Sequence, residues 1–225
     1  IEVCKEYNTA VRIGVNHGSL GERIINLYGD TPLGMMKAAM EWLEMCIEND
    51  FYNVVVSLKS SNTIVMVEAY RLLAKAMEER GVVFPVHVGV TEAGNGDSGR
   101  IKSCVGISAL LSEGIGNTIR VSLTEDPVNE IPVAEYLANR YDGLIRSSMT
   151  SISIEGKHAI ASYDAPSREK LLLDVSCDFG KRLMDRELDS ISLKGCYRDQ
   201  NGHEVDICSS GFAEYLEDEL MQATR

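Results

Sequence analysis

Residues 10–20 read AVRIGVNHGSL, an apolar run interrupted by an arginine, a glycine and an asparagine. A β-strand alternates its faces, so Val11, Ile13 and Val15 project to one side while Arg12, Gly14 and Asn16 project to the other. One face is suited to burial and the other to holding something polar.

Downstream the same arrangement recurs. Thr31-Pro32 is a helix-start pair with proline at the first helical position, and Met36, Met40, Leu43 and Ile47 follow at helical steps. A second unit begins with the valine-rich strand NVVVSLKSS (53–61). Its helix runs through Val65, Ala69, Leu72 and Ala76 and stops at Gly81. The third strand, VFPVHVGVTEAG (83–94), precedes a helix carrying Ile101, Cys104, Val105, Ser108 and Leu111. The fourth, NTIRVSLTED (117–126), precedes a weaker helix from about Ile131 to Tyr141. Near-continuous apolar strands alternating with helices predict a parallel sheet covered on its faces. Four such units over residues 1–142 make half of the eight that a (β/α)8 TIM-type barrel requires.

Parallel order brings the C-terminal ends of all strands to one edge, where such folds place ligands. Those ends carry Arg12 and Asn16, then Ser57 and Lys59, then Thr91 and Glu92, then Arg120 and Ser122. Alternation puts Arg12 with Asn16, Ser57 with Lys59, and Arg120 with Ser122 on common faces. Each residue alone has an ordinary reading, such as an Asx turn, a snorkelling cation or a solvated acid. Together, three cations, one carboxylate and several hydrogen-bonding groups form a rim suited to phosphate.

Composition narrows the ligand. With 22 basic against 34 acidic residues the formal charge is −12, which argues against a nucleic-acid partner and favours a small anion bound by a few placed cations. Apolar residues make up 44% of the 225, ample for a core, and no run reaches membrane-span length, so no membrane partner is expected. The setting predicted is the bacterial cytoplasm. Cysteines at 4, 46, 104, 177, 196 and 208 form no C-x-x-C pair, and the four histidines are dispersed, so no metal site is expected in this chain. The opening IEVCKEYNTA, without an initiator methionine, suggests a fragment or processed product.

GNGDSG (94–99) matches G-x-G-x-x-G, but the next strand carries Arg120 and Ser122 where a dinucleotide site would need an acid. The glycines are expected to form a mobile turn beside Glu92, with helix N–H groups available to an anion. Past residue 143 the pattern changes. SISIEGKHAIASY (151–163) reads as two strands about a turn, then a helix runs from about Ser167 to Met184. A strand DSISLKGCY (189–197), an Asn201-Gly202 turn and a last helix through Phe212, Leu216 and Leu220 complete a smaller α+β segment, 143–225.

Read together, RIGVNHGSL (12–20), VVVSLKSSN (54–62), GVTEAGNGDSGRIKS (89–103) and TIRVSLTEDP (118–127) resemble the 4-hydroxy-3-methylbut-2-enyl diphosphate synthases over roughly residues 10 to 135. LLLDVSCDFGKRLMDREL (171–188) is similar, more loosely, to the inserted domain of that family's large, three-domain form. The resemblance implies reductive opening of 2-C-methyl-D-erythritol 2,4-cyclodiphosphate in the non-mevalonate isoprenoid pathway. It also implies a [4Fe-4S] cluster on a separate domain, reduced by ferredoxin or flavodoxin. By position, Arg12, Asn16, Lys59, Arg120 and Ser122 would hold the diphosphate and Glu92 would be the proton donor.

The departures are as informative. The C-P-x-C and C-x-x-N-G-P-G-E segments that hold the family's cluster do not occur in these 225 residues, so no bound cofactor is expected on this piece. The expectation is a central fragment, inactive alone, whose open sheet edges favour pairing into a homo-oligomer. The competing readings are a scaffold fragment without autonomous ligand binding and a different phosphate- or pterin-binding barrel, such as a relative of dihydropteroate synthase.

Overall fold

Local signals set the first elements of the computed structural model, which describes residues 1–224. Helix α1 (Glu2–Glu6) leads into β1 (Val11–Asn16), followed by α2 (Glu22–Tyr28) and α3 (Pro32–Glu48). Thr31 caps α3 by accepting the Gly34 N–H at 3.1 Å. Next come β2 (Val54–Lys59) and α4 (Thr63–Arg80), whose cap Asn62 accepts the Val65 N–H at 3.0 Å and whose C-terminus is closed by Gly81 at φ 77°. Strand β3 (His87–Val88), α5 (Gly96–Leu111), β4 (Thr118–Ile119), a 3₁₀ turn (Pro127–Glu130) and α6 (Ile131–Tyr141) complete this part.

The four strand segments lie side by side in chain order, all parallel. β1 pairs with β2 from Val11↔Val54 to Asn16↔Lys59, Val56 bridges Val86, and β3 pairs with β4 at His87↔Thr118. The third and fourth strands are shorter ladders than their apolar runs suggest, because Pro85 has no N–H to donate and the later residues bond singly. Thr91 N–H reaches the Ser60 carbonyl and Ala93 N–H the Ser122 carbonyl, each at 3.0 Å. No closed barrel forms among the described residues. One sheet face, with Ile13, Val15, Val56, Leu58, Val88, Val90 and Val121, is buried within the core to which α3, α4 and α5 contribute. The opposite face is polar.

From residue 149 a second sheet forms: β5 (Met149–Glu155), β6 (His158–Ala165), β7 (Ser190–Arg198) and β8 (Glu204–Asp206), in that order. β6 and β7 are parallel, joined through α7 (Arg168–Met184), while both edge strands run antiparallel; α8 (Phe212–Gln222) follows. Helices α1 and α2 and strand β8 are short and without a sustained apolar period, so no sequence pattern marks them.

Helix α7 joins the two parts. Gly180 lets it approach α5 closely: a Cβ there would overlap Ser108 Oγ and lie 2.7 Å from the Val105 carbonyl oxygen. Both helices bury residues around most of their circumference, and their apolar side chains belong to one continuous core. Ion pairs pin the ends, with Arg71 bridging Glu113 at 2.5 Å and Asp185 at 2.6 Å, and Arg168 meeting Asp97 at 2.6 Å. Between them the fully buried Asp174 accepts the Ser148 N–H at 2.8 Å, the Ser148 hydroxyl at 2.5 Å, the Lys170 ammonium at 2.6 Å and the Tyr136 hydroxyl. Asp178 takes Arg140, the Ser147 hydroxyl at 2.6 Å and the Tyr163 hydroxyl at 3.0 Å.

Candidate functional site

The polar sheet face follows from register. Arg12, Gly14 and Asn16 of β1 stand opposite Val55, Ser57 and Lys59 of β2. His87 of β3 aligns with Thr118 of β4, and two-residue alternation carries that face on to Arg120 and Ser122. Small residues make room for large ones. A Cβ on Gly14 would lie 3.2 Å from Lys59 Nζ, and one on Gly89 would collide with the Arg120 carbonyl. Arg120 Nη2 donates to Ser122 Oγ at 3.2 Å, which ties the two predicted ligands together.

The hollow at the strand ends has a volume of about 300 Å³ and is walled by Asn16, Lys59, Ser60, Thr91, Glu92 and Arg120. Four of the six predicted site residues therefore meet in it; Arg12 and Ser122 lie on the same sheet face but outside its wall. Glu92 is exposed and holds φ at 51°, the left-handed region that costs a non-glycine residue about 1–2 kcal/mol. Backbone strain of this kind collects at functional positions, where surrounding contacts over-determine the chain.

The cations of this face are uncommitted. Among the described residues Arg12, Lys59 and Arg120 make no ion pair with a carboxylate, whereas Arg71, Arg100, Arg140 and Arg168 each do. Gathering cations without counterions in a chain of net charge −12 is unfavourable unless an anion completes the set. His87 registers the resulting field. Burial, then Arg12, Arg120 and Lys59, hold its imidazolium below the usual histidine range. Dispersed histidines in sequence had offered no site, although alternation with Gly89 and Thr91 already assigns His87 to the polar face.

The glycine turn departs from expectation. Gly96 N–H donates to Glu125 Oε1 at 2.8 Å, and Arg100 pairs with the same carboxylate at 2.6 Å. The α5 amide thought open to an external anion is thus satisfied internally, and Gly94 is tied to the fourth strand through the Thr124 N–H at 2.9 Å. Gly99 is needed because a Cβ would lie 2.6 Å from the Gly94 carbonyl oxygen. A larger hollow of about 380 Å³ lies between α5, α6 and α7, lined by Arg100, Val133, Arg168, Leu172 and Leu173. Its two guanidinium groups are already paired, to Glu125 and Asp97, so it offers an anion no uncommitted charge.

The residues present do not fit an iron–sulfur cluster. Among the described residues no group of three or more His, Cys, Asp or Glu could hold a metal, and Cys46, Cys104 and Cys177 are buried thiols. No helix among the described residues is long and apolar enough to cross a membrane.

Comparison with known proteins bears on the same segment. Residues 1–135 match the family described as GcpE TIM-barrel domain. Over 139 residues the chain is 59% identical to 4-hydroxy-3-methylbut-2-en-1-yl diphosphate synthase (flavodoxin) of Phocaeicola vulgatus, covering 62% of this chain and 23% of that protein. Over 134 residues it is 60% identical to the synthase (ferredoxin) of Prochlorococcus marinus, covering 60% of this chain and 33% of the relative. The Synechococcus elongatus synthase (ferredoxin) is 62% identical over 129 residues, covering 57% and 32% respectively. The chain thus spans between 23% and 33% of the length of these curated relatives. All three similarities, like the parallel strands and the cationic strand ends, fall in the first part of the molecule, and by the family match over residues 1–135 the chain belongs to the GcpE TIM-barrel domain family.

Proposed function

We propose that this chain supplies the diphosphate-binding rim of a 4-hydroxy-3-methylbut-2-en-1-yl diphosphate synthase, the enzyme whose name its relatives carry. The observation that carries the reading is the meeting of Arg12, Lys59 and Arg120 on one sheet face, from three strands, without carboxylate partners. A diphosphate offers the matching charge, and guanidinium groups bind its oxygens with paired hydrogen bonds. In this reading the substrate is 2-C-methyl-D-erythritol 2,4-cyclodiphosphate. Arg12, Lys59 and Arg120 neutralise the phosphates, Asn16 and Ser122 donate hydrogen bonds, and Glu92 delivers a proton to the departing oxygen.

Residues 1–142 are half of a TIM-type barrel in this reading, and residues 143–225 belong to the inserted domain of the large form. The reductant is flavodoxin or ferredoxin, as in the relatives' names, and reaches the reaction through a [4Fe-4S] cluster held outside these residues. The isolated chain binds substrate without turning it over, in the bacterial cytoplasm. Among the described residues strand β1 and the fourth strand each leave an edge unpaired, which favours a homo-oligomer that closes the sheet.

Calorimetric titration with the cyclic diphosphate, wild type beside Arg120→Ala, tests the reading. Saturable binding weakened at least tenfold in the variant supports it. Absence of binding by the wild-type chain refutes an autonomous rim and favours a purely structural fragment.

A further inference from the structure

We propose that His87 is an additional anion ligand of the strand-end site, one that takes up a proton when a phosphate-bearing ligand arrives. The proposal rests on the reading of that face as a diphosphate site and deepens it.

Its geometric basis is the position of the ring. His87 lies on the third of four parallel strands, half-buried, with Arg12 and Lys59 on one side and Arg120 on the other. Its Nδ1 lies 2.6 Å from Thr118 Oγ1, and Nε2 makes no hydrogen bond among the described residues. A hydroxyl both donates and accepts, so Thr118 holds the ring in either protonation state. From beneath, the Tyr70 hydroxyl of α4 donates to the His87 carbonyl and accepts the Leu58 N–H at 2.8 Å, which fixes the backbone. Glu130 borders the shallow hollow beside His87, but its carboxylate accepts the Leu123 N–H at 2.8 Å.

The chemistry follows from the surrounding charge. In the free chain partial burial, then three cations, favour neutral imidazole. His87 lines a shallow hollow that adjoins the strand-end one through Arg120, so a bound diphosphate neutralises those cations and brings negative charge beside the ring; the balance reverses and Nε2 gains a proton. The resulting imidazolium donates to a phosphate oxygen. No electron moves, and the proton comes from solvent.

The probe is inorganic pyrophosphate, titrated into the full chain and into His87→Gln at pH 6 and pH 8, in buffers of differing ionisation enthalpy. Histidine Cε1–H resonances of the wild-type chain are followed in parallel with and without saturating pyrophosphate. The expected result is an upward move of the His87 midpoint by at least one pH unit on saturation. The gain in affinity from pH 8 to pH 6 should be about tenfold greater in wild type than in the variant, the equivalent of one unit of pKa. Binding by both proteins with the same pH dependence and an unmoved His87 midpoint overturns the role of His87 while leaving the anion site standing. Absence of pyrophosphate binding by the wild-type chain overturns both.

Discussion

Replacing Asp174 with alanine tests the idea that a buried polar cluster, rather than apolar contact alone, holds the second part of the chain onto the first. The side chain is 0% exposed and accepts hydrogen bonds from Tyr136 on α6, from Ser148 in the connection and from Lys170 on its own helix. Arg140 lies 3.4 Å away and keeps Asp178 as a partner, so the guanidinium is not stranded by the change. The Tyr136 hydroxyl is the group left worst placed. It is buried, its proton then faces Arg140 rather than an acceptor, and such an orphan costs about 1–3 kcal/mol. Loss of the Lys170 and Ser148 bonds brings the expected total to the range for breaking a buried ion pair, about 3–5 kcal/mol. For a chain of 225 residues this lowers Tm by roughly 10 °C. Asp174→Asn, which keeps the shape and one acceptor, should lose less than half as much. The assay is urea unfolding followed by tryptophan fluorescence and circular dichroism, with amide exchange over residues 131–150 as the local readout. An Asp174→Ala chain within about 1 kcal/mol of wild type, with unchanged protection in that segment, would refute the reasoning.

Glu125, held down to about 2 first by its hydrogen bond from Arg100 and then by the Gly96 N–H, stabilises the fold fully above pH 4.5 and loses that contribution as pH falls toward 2. Glu125→Gln should therefore flatten the acid limb of a Tm-versus-pH curve measured by scanning calorimetry, and parallel wild-type and variant curves would exclude the effect. Gly180→Ala should destabilise by about 1–2 kcal/mol in denaturant melts, because overpacking against Ser108 and Val105 exceeds the roughly 1 kcal/mol gained in helix propensity. A neutral result would mean that α5 and α7 separate freely. Glu92→Gly should raise stability by about 1 kcal/mol by relieving the left-handed backbone while abolishing turnover when placed in a complete relative; a loss of stability would show that the Glu92 side chain makes a stabilising contact.

Much of the first part was legible because each strand declares its own faces. Period-two alternation puts Arg12 with Asn16, Ser57 with Lys59, and Arg120 with Ser122 on common faces, and the register of β1 with β2 sets Asn16 beside Lys59. The helix starts at Thr31 and near Ser167 were legible, and in the fold both side chains accept the N–H three residues on. The glycine turn was harder to read. Its geometry is local, but whether a helix amide is free depends on Glu125, 29 residues away in sequence, and nothing in GNGDSG announces that partner. His87 was readable in principle from alternation, yet its importance lies in cations brought by three other segments.

Sequence alone determined the repeating strand–helix order, the split between an apolar and a polar sheet face, and the identity of the cations at the strand ends, since these depend on near-neighbour periodicity. Tertiary structure decided what required distance in the chain to vanish. It set which strand-end residues share the hollow, which helix amides were already occupied, and how α7 wedges against α5 through Gly180. It also placed Asp174 and Asp178 at the buried junction of the two parts. Electrostatic and steric complementarity of that kind belongs to pairs of segments, and no single segment carries it.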